Sequence, residues 1–183
     1  MNSFPEPLPA LHKTLRVAMA AVAERLGRAP GPDAEVQAEA DAVLGALAWR
    51  SEWVAAQLLP LLELHEPGAA APALRELRRL DGPMRSICEA LRALPMQPPA
   101  EQAAAWWRLY RRWTLLQSQA LALLHHDETS WLPPLWTALP AATRDVLLTR
   151  LSAALPAVLR RAGGAALTPH EQTGLMPEGA RHA

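Results

Sequence analysis

The chain has little of what would tie it to several common classes of protein. Cys88 is its only cysteine, which excludes a disulfide framework and a zinc motif built on paired thiolates. Lys13 is its only lysine, so arginine carries nearly all of the positive charge. Eighteen basic residues balance eighteen acids, and such a chain has no global field to draw in nucleic acid or acidic lipid. No apolar run approaches bilayer-spanning length, and Met1 to Pro9 lacks the basic start and apolar run of a secretory leader. These absences point to the cytoplasm, with neither nucleic acid nor membrane as partner. There is one isoleucine, Ile87, and few other β-branched residues, which argues against sheet. No Gly-rich phosphate loop or nucleophile elbow occurs, and Cys88 has no evident partner base. The sequence reads more as a binding protein than as an enzyme.

What is abundant is Ala, Leu and Arg, the composition of helices. Prolines gather at the junctions, at Pro5 to Pro9, Pro30 to Pro32, Pro67, Pro95 to Pro99, Pro133-Pro134 and Pro140. Amphipathic spacing predicts five helices. The first spans Leu8 to Leu26 and buries Leu15, Met19 and Val22. The second spans Asp33 to His65, with Leu47, Val54, Leu58 and Leu62 inward. The third runs from Pro72 or Asp81 to Leu94, with Leu77, Met84, Cys88 and Leu91 on its apolar face. The fourth spans Ala100 to Trp131 on Leu109, Trp113, Leu116, Ala120 and Leu123. A fifth spans Pro140 to Arg161. Short connections make neighbours antiparallel, so the expected fold is all-α: an up-down-up-down four-helix bundle with an additional C-terminal helix. The domain is expected to occupy residues 1–161, followed by a flexible, disordered tail at 162–183.

Two fragments occur twice in the same order. Leu11-His12-Lys13-Thr14-Leu15-Arg16 is echoed by Leu80-Asp81-Gly82-Pro83-Met84-Arg85. His65-Glu66 is followed, after five intervening residues, by Pro72, and His126-Asp127, after five intervening residues, by Pro133. His12, Glu66, Asp81 and Asp127 extend the apolar stripes of four helices, where bundles build metal and cofactor sites. Buried carboxylates need a partner or a cation.

On these residues, and on the run His126-Asp127-Glu128-Thr129-Ser130-Trp131-Leu132-Pro133, the chain resembles the hemerythrin-like, HHE cation-binding proteins from about Leu8 to Pro156. The resemblance implies a non-haem iron site and oxygen or redox sensing. It also implies metal-ligand positions, which His12, Glu66 and Asp127 match. Leu62 and Leu123 stand where two ligating histidines belong, and Asp81 replaces a third. The resemblance therefore implies a depleted site rather than a dioxygen carrier.

Two readings stand side by side. In one, His12, Glu66, Asp81 and Asp127, helped by His65, His125 or His126, hold iron, manganese or zinc. In the other no metal is bound: Asp81 caps a helix, Glu66 is turned outward by Pro67, and His65 and His126 sit near helix ends. The protein would then be a metal-free interaction or ligand-binding bundle, a homodimer or the partner of another protein, using its seven tryptophans as core or contact surface. Arg108, Arg111 and Arg112, interleaved with Trp107, Tyr110 and Trp113, read as a solvated helix face.

Overall fold

A computed structural model describes residues 7–166 of the chain, with side chains described for residues 8–162. The all-α expectation holds, and no strand occurs among the described residues. The helices are α1 (Pro7–Arg28), α2 (Ala34–Trp53), α3 (Leu59–His65), α4 (Ala70–Arg78), α5 (Asp81–Ala93), α6 (Pro99–Thr129), α7 (Leu132–Ala138), α8 (Ala141–Ala154) and α9 (Ala157–Ala166). None of these is long and apolar enough to cross a membrane.

Each departure from the five expected helices has a local cause. The second expected helix runs from α2 into α3 through one π turn, Val54–Leu58. Pro60 has no N–H to give to Ala56 and its ring crowds that carbonyl, so the ladder shifts and Leu59 N–H bonds to Val54 C=O. The third expected helix is two, α4 and α5, hinged at Arg79-Leu80. Pro133-Pro134, expected as a junction, falls in the first turn of α7, where a missing N–H costs nothing. Pro156 divides the fifth helix into α8 and α9. Helix α9 passes through Gly163-Gly164 to Ala166, five residues beyond the expected domain end. The rest of the expected tail, 167–183, lies outside the described residues.

Asp33 starts α2 as its N-cap, its carboxylate accepting from the backbone N–H groups of Glu35 and Val36. Between α3 and α4 the chain turns at Gly68, whose φ of +92° suits only glycine without strain. The Glu63 carboxylate holds that turn by accepting from Gly68 N–H at 2.8 Å and Ala70 N–H at 3.2 Å.

The apolar stripes do face inward. Leu8, Leu15, Met19, Val22 and Leu26 are buried, as are Leu47, Val54, Leu58 and Leu62, and so is the α6 series from Leu109 to Leu123. Helix α1 packs on α2, α6 and α9, while α5 packs on α2 and α6. Directions follow from named contacts. Trp106, early in α6, donates its indole N–H to the Leu26 carbonyl near the end of α1, at 3.0 Å. Arg25, late in α1, pairs with Glu39, early in α2. Helix α1 is thus antiparallel to α2 and α6.

Trp113 is the largest fully buried side chain, and its indole N–H donates to the Met19 carbonyl at 3.1 Å. Trp113→Phe removes the indole N–H bond, leaves the Met19 carbonyl only its helical partner, and opens a void. It is expected to lower unfolding stability by about 1–3 kcal/mol, measured by urea titration.

Candidate functional site

Near one end of α1, α2 and α6, four charged or ionisable side chains are enclosed together. His12 is 0 % exposed, Arg50 1 % and Asp127 2 %, with Glu128 half-buried at their edge. Arg50 reaches this point because it lies on the apolar stripe of α2, three residues after Leu47 and four before Val54. Asp127 arrives four residues after Leu123, as the stripe of α6 requires, and His12 comes from the first turns of α1.

The hydrogen bonds have one consistent direction. Arg50 Nη2 donates to Asp127 Oδ2 in a tight ion pair, and contacts His12 Nε2 at 3.2 Å. A guanidinium only donates, so Nε2 carries the lone pair and the ring proton sits on Nδ1. That proton goes to Glu128 Oε1 at 2.9 Å. Arg16 closes the edge with two bonds to Glu128, of 2.9 and 2.7 Å. Asp127 Oδ1 accepts from the Trp131 indole N–H at 2.8 Å. Two cations therefore face two anions, with a neutral imidazole as the link between them.

Burial is the largest influence on His12 and lowers its pKa from 6.5 to about 4; the hydrogen bond to Glu128 opposes this and the Arg50 charge adds to it. For Glu128 burial disfavours the carboxylate, but the bonds from His12 and Arg16 outweigh it and hold the group down to about 2. Away from this cluster, burial and then the Asp41 carboxylate push the Cys88 thiol up, which suits a structural cysteine rather than a nucleophile.

The expected ligands separate into two groups. His12 and Asp127 do converge. His65, Glu66, Asp81 and His126 do not join them and are exposed. Glu66 lies sixteen residues beyond Arg50 on the α2–α3 rod, about 24 Å along a helix. It takes the extended conformation that Pro67 imposes (φ −137°, ψ 92°). Asp81 is the first residue of α5 rather than its N-cap, a position taken by Leu80 without a side-chain capping bond; the Asp81 charge suits the helix N-terminus. His65 ends α3. His126 lies one residue before Asp127 but turns outward, its Nδ1 3.0 Å from the Ser130 hydroxyl.

The residues present do not fit a metal ion. A metal needs several lone pairs, and among the described residues no group of three or more His, Cys, Asp or Glu could hold one. The lone pairs of His12 and Asp127 are turned toward Arg50, whose Nε and Nη1 are also buried without a protein acceptor. The centre is thus rich in N–H donors and already holds a positive charge.

Three members of the cluster, Arg50, Glu128 and Arg16, are not on the expected ligand list. Arg50 carried a readable signal, an arginine in step with Leu47 and Val54, whereas the His65-Glu66 doublet drew attention to the wrong end of the rod. No protein-family model, curated protein or solved structure matches this chain.

Two outcomes follow. His12 and Glu128 both have folded pKa values below their unfolded ones, so the unfolded chain takes up protons first on acidification. Stability from His12 is complete above pH 6.5 and lost by about pH 4. Stability from Glu128 is complete above pH 4.5 and lost toward pH 2. The sealed His12 gives a slope of up to about 1.4 kcal/mol per pH unit within its window, and the partly solvated Glu128 a shallower one. Urea titrations at a series of pH values should show both limbs, and His12→Gln should remove the upper one and shorten the lower, because Glu128 loses the imidazole's bond but keeps those of Arg16. Arg50→Met leaves Asp127 charged, buried and without its ion-pair partner, at an expected cost of about 3–5 kcal/mol. The Arg50→Met/Asp127→Leu pair should recover most of that loss in the same measurement.

Proposed function

We propose that the protein is a metal-free, hemerythrin-like bundle in which a guanidinium stands where the resemblance implies a metal ion, and that it works as a binding module. Helices α1, α2, α5 and α6 form a closed ring of contacts. Arg112 on α6 donates to the Ser86 carbonyl on α5 at 3.4 Å. Leu80, just before α5, and Leu123, late in α6, line one cavity. These relations suit an up-down-up-down arrangement, with α9 laid on α1 and α2 as the additional C-terminal helix.

The observation that carries the reading is Arg50. A monovalent, undissociable cation between His12 and Asp127 supplies the neutralisation that a metal would supply, without redox chemistry. Loss of the ligands at Leu62 and Leu123 and presence of an internal arginine are then two sides of one replacement. No catalysed reaction belongs to this reading: the imidazole is neutral, sealed and fully engaged, and no nucleophile faces it.

Protein purified without chelators and offered Fe2+, Mn2+ and Zn2+ should retain less than a stoichiometric amount of each. Its unfolding midpoint should also be unmoved by metal, since a ligand bound only by the folded state raises stability. About one equivalent of metal, lost in the His12→Ala/Asp127→Ala variant, would overturn the proposal in favour of the metal-binding, redox-responsive alternative.

A further inference from the structure

The outward arc of α6 is free of acid. No Asp or Glu occurs from Gln102 to His126, and Trp107, Arg108, Arg111, Arg112 and Leu115 fall on one exposed arc of helical spacing. Trp107 is 57 % exposed and Leu115 59 %, large values for such side chains. The Trp107 and Tyr110 rings pack against each other with centroids 5.1 Å apart. Among the described residues, no ion pair involves Arg108, Arg111 or Arg112, although Arg112 reaches the Ser86 carbonyl. Residues 76–126 hold seven arginines and four acids, a net charge of +3 in a chain that is neutral as a whole.

Beside this arc runs the seam between α6 and the elements before it, and the seam holds two cavities. One, of about 180 Å3, has an apolar floor including Leu94 and Leu109, with Arg108 and Arg112 on its wall. The other, of about 540 Å3, has Leu80 and Leu123 in its lining, with Arg79 and His126 beside them. Leu109 and Leu123 are fourteen residues apart on one helix, about 21 Å. That span is too long for one small ligand, and the smaller cavity has the size of a side chain rather than a cofactor, whose pockets are commonly about 300–1,000 Å3.

We infer that this seam is a docking groove for an acidic amphipathic helix of a partner protein. Alkyl side chains of the partner enter the two cavities, and its carboxylates meet Arg108, Arg111 and Arg112. Helix-in-groove recognition uses apolar anchors at helical spacing in this way, and exposed Trp and Arg are the residue types that dominate binding energy at interfaces. Two acids border the seam. Glu76 is bonded to Arg79 at 2.8 Å, and Glu89 on α5 lies between Arg85 and Arg92 in the helical sequence, so neither reverses the local sign. A nucleic-acid strand fits less well, because sockets floored by leucine offer its bases no flat stacking face.

The inference rests on the reading of the protein as a binding module, yet the seam is separate from Arg50, and the two can fail independently. The test is fluorescence anisotropy on the full chain with three labelled probes: a synthetic Glu/Leu amphipathic helical peptide, its Lys/Leu counterpart, and a single-stranded DNA oligonucleotide. Metal content is measured on the same sample. The Glu/Leu peptide is expected to bind, more weakly as salt rises, and the other two are not. Arg108→Glu/Arg111→Glu and Trp107→Ala should each weaken that binding about tenfold or more. Arg75→Glu, on exposed α4, should not, and unfolding midpoints should show that all the variants fold. Equal binding of both peptides, binding of DNA alone, or indifference to the Arg108/Arg111 reversal would overturn the inference. A metal-loaded protein that still binds the Glu/Leu peptide would overturn only the metal-free reading.

Discussion

A guanidinium sealed in an apolar interior has to be neutralised where it lies, and Arg50 is neutralised by Asp127 from another helix. Neither charge is tolerable alone: each would cost several kcal/mol to bury without the other. The pair therefore sets the relative position of α2 and α6. His12 then adds α1, because the Arg50 donor needs an acceptor and the imidazole needs somewhere to send its remaining proton. One buried cation brings three helices to one point, and Arg16 and Glu128 close that point toward solvent with a second, partly exposed pair.

The network also accounts for the state of its titratable groups. An arginine cannot accept a hydrogen bond, so the tautomer of His12 is decided by its neighbour rather than by solvent. Burial keeps the ring neutral, and a neutral ring leaves the two ion pairs balanced. Such a cluster is well suited to holding helices in register. It is poorly suited to chemistry, which needs a group with an unengaged lone pair or a proton within reach of a substrate. The acid-free arc of α6 and its neighbouring seam lie apart from this cluster, at the surface.

Much of this was legible in the sequence. The apolar stripes of α1, α2 and α6 predicted which residues are buried, because helical periodicity and burial are two views of one geometry. The inward direction of His12 and Asp127 followed from the same stripes. Glu66 and Asp81 extended stripes too, but each lies where a helix ends or begins, and periodicity carries no information past a helix terminus. Pro67 beside Glu66 and Gly82-Pro83 after Asp81 were the contrary signals, and they prevailed. The π turn before Pro60 was not foreseen, although its cause is local, whereas a helix starting at Asp81 was one of the two starts offered for the third helix.

The sequence by itself determined the helical class, the core stripes, the junctions at proline and the presence of ionisable groups among apolar neighbours. Only the tertiary structure decided which of those groups meet. Helical periodicity specifies the face on which a side chain lies but not the level at which two helices align. A shift of sixteen residues along one rod exchanges Glu66 for Arg50 opposite His12. That exchange places a guanidinium, rather than a further acid, beside Asp127.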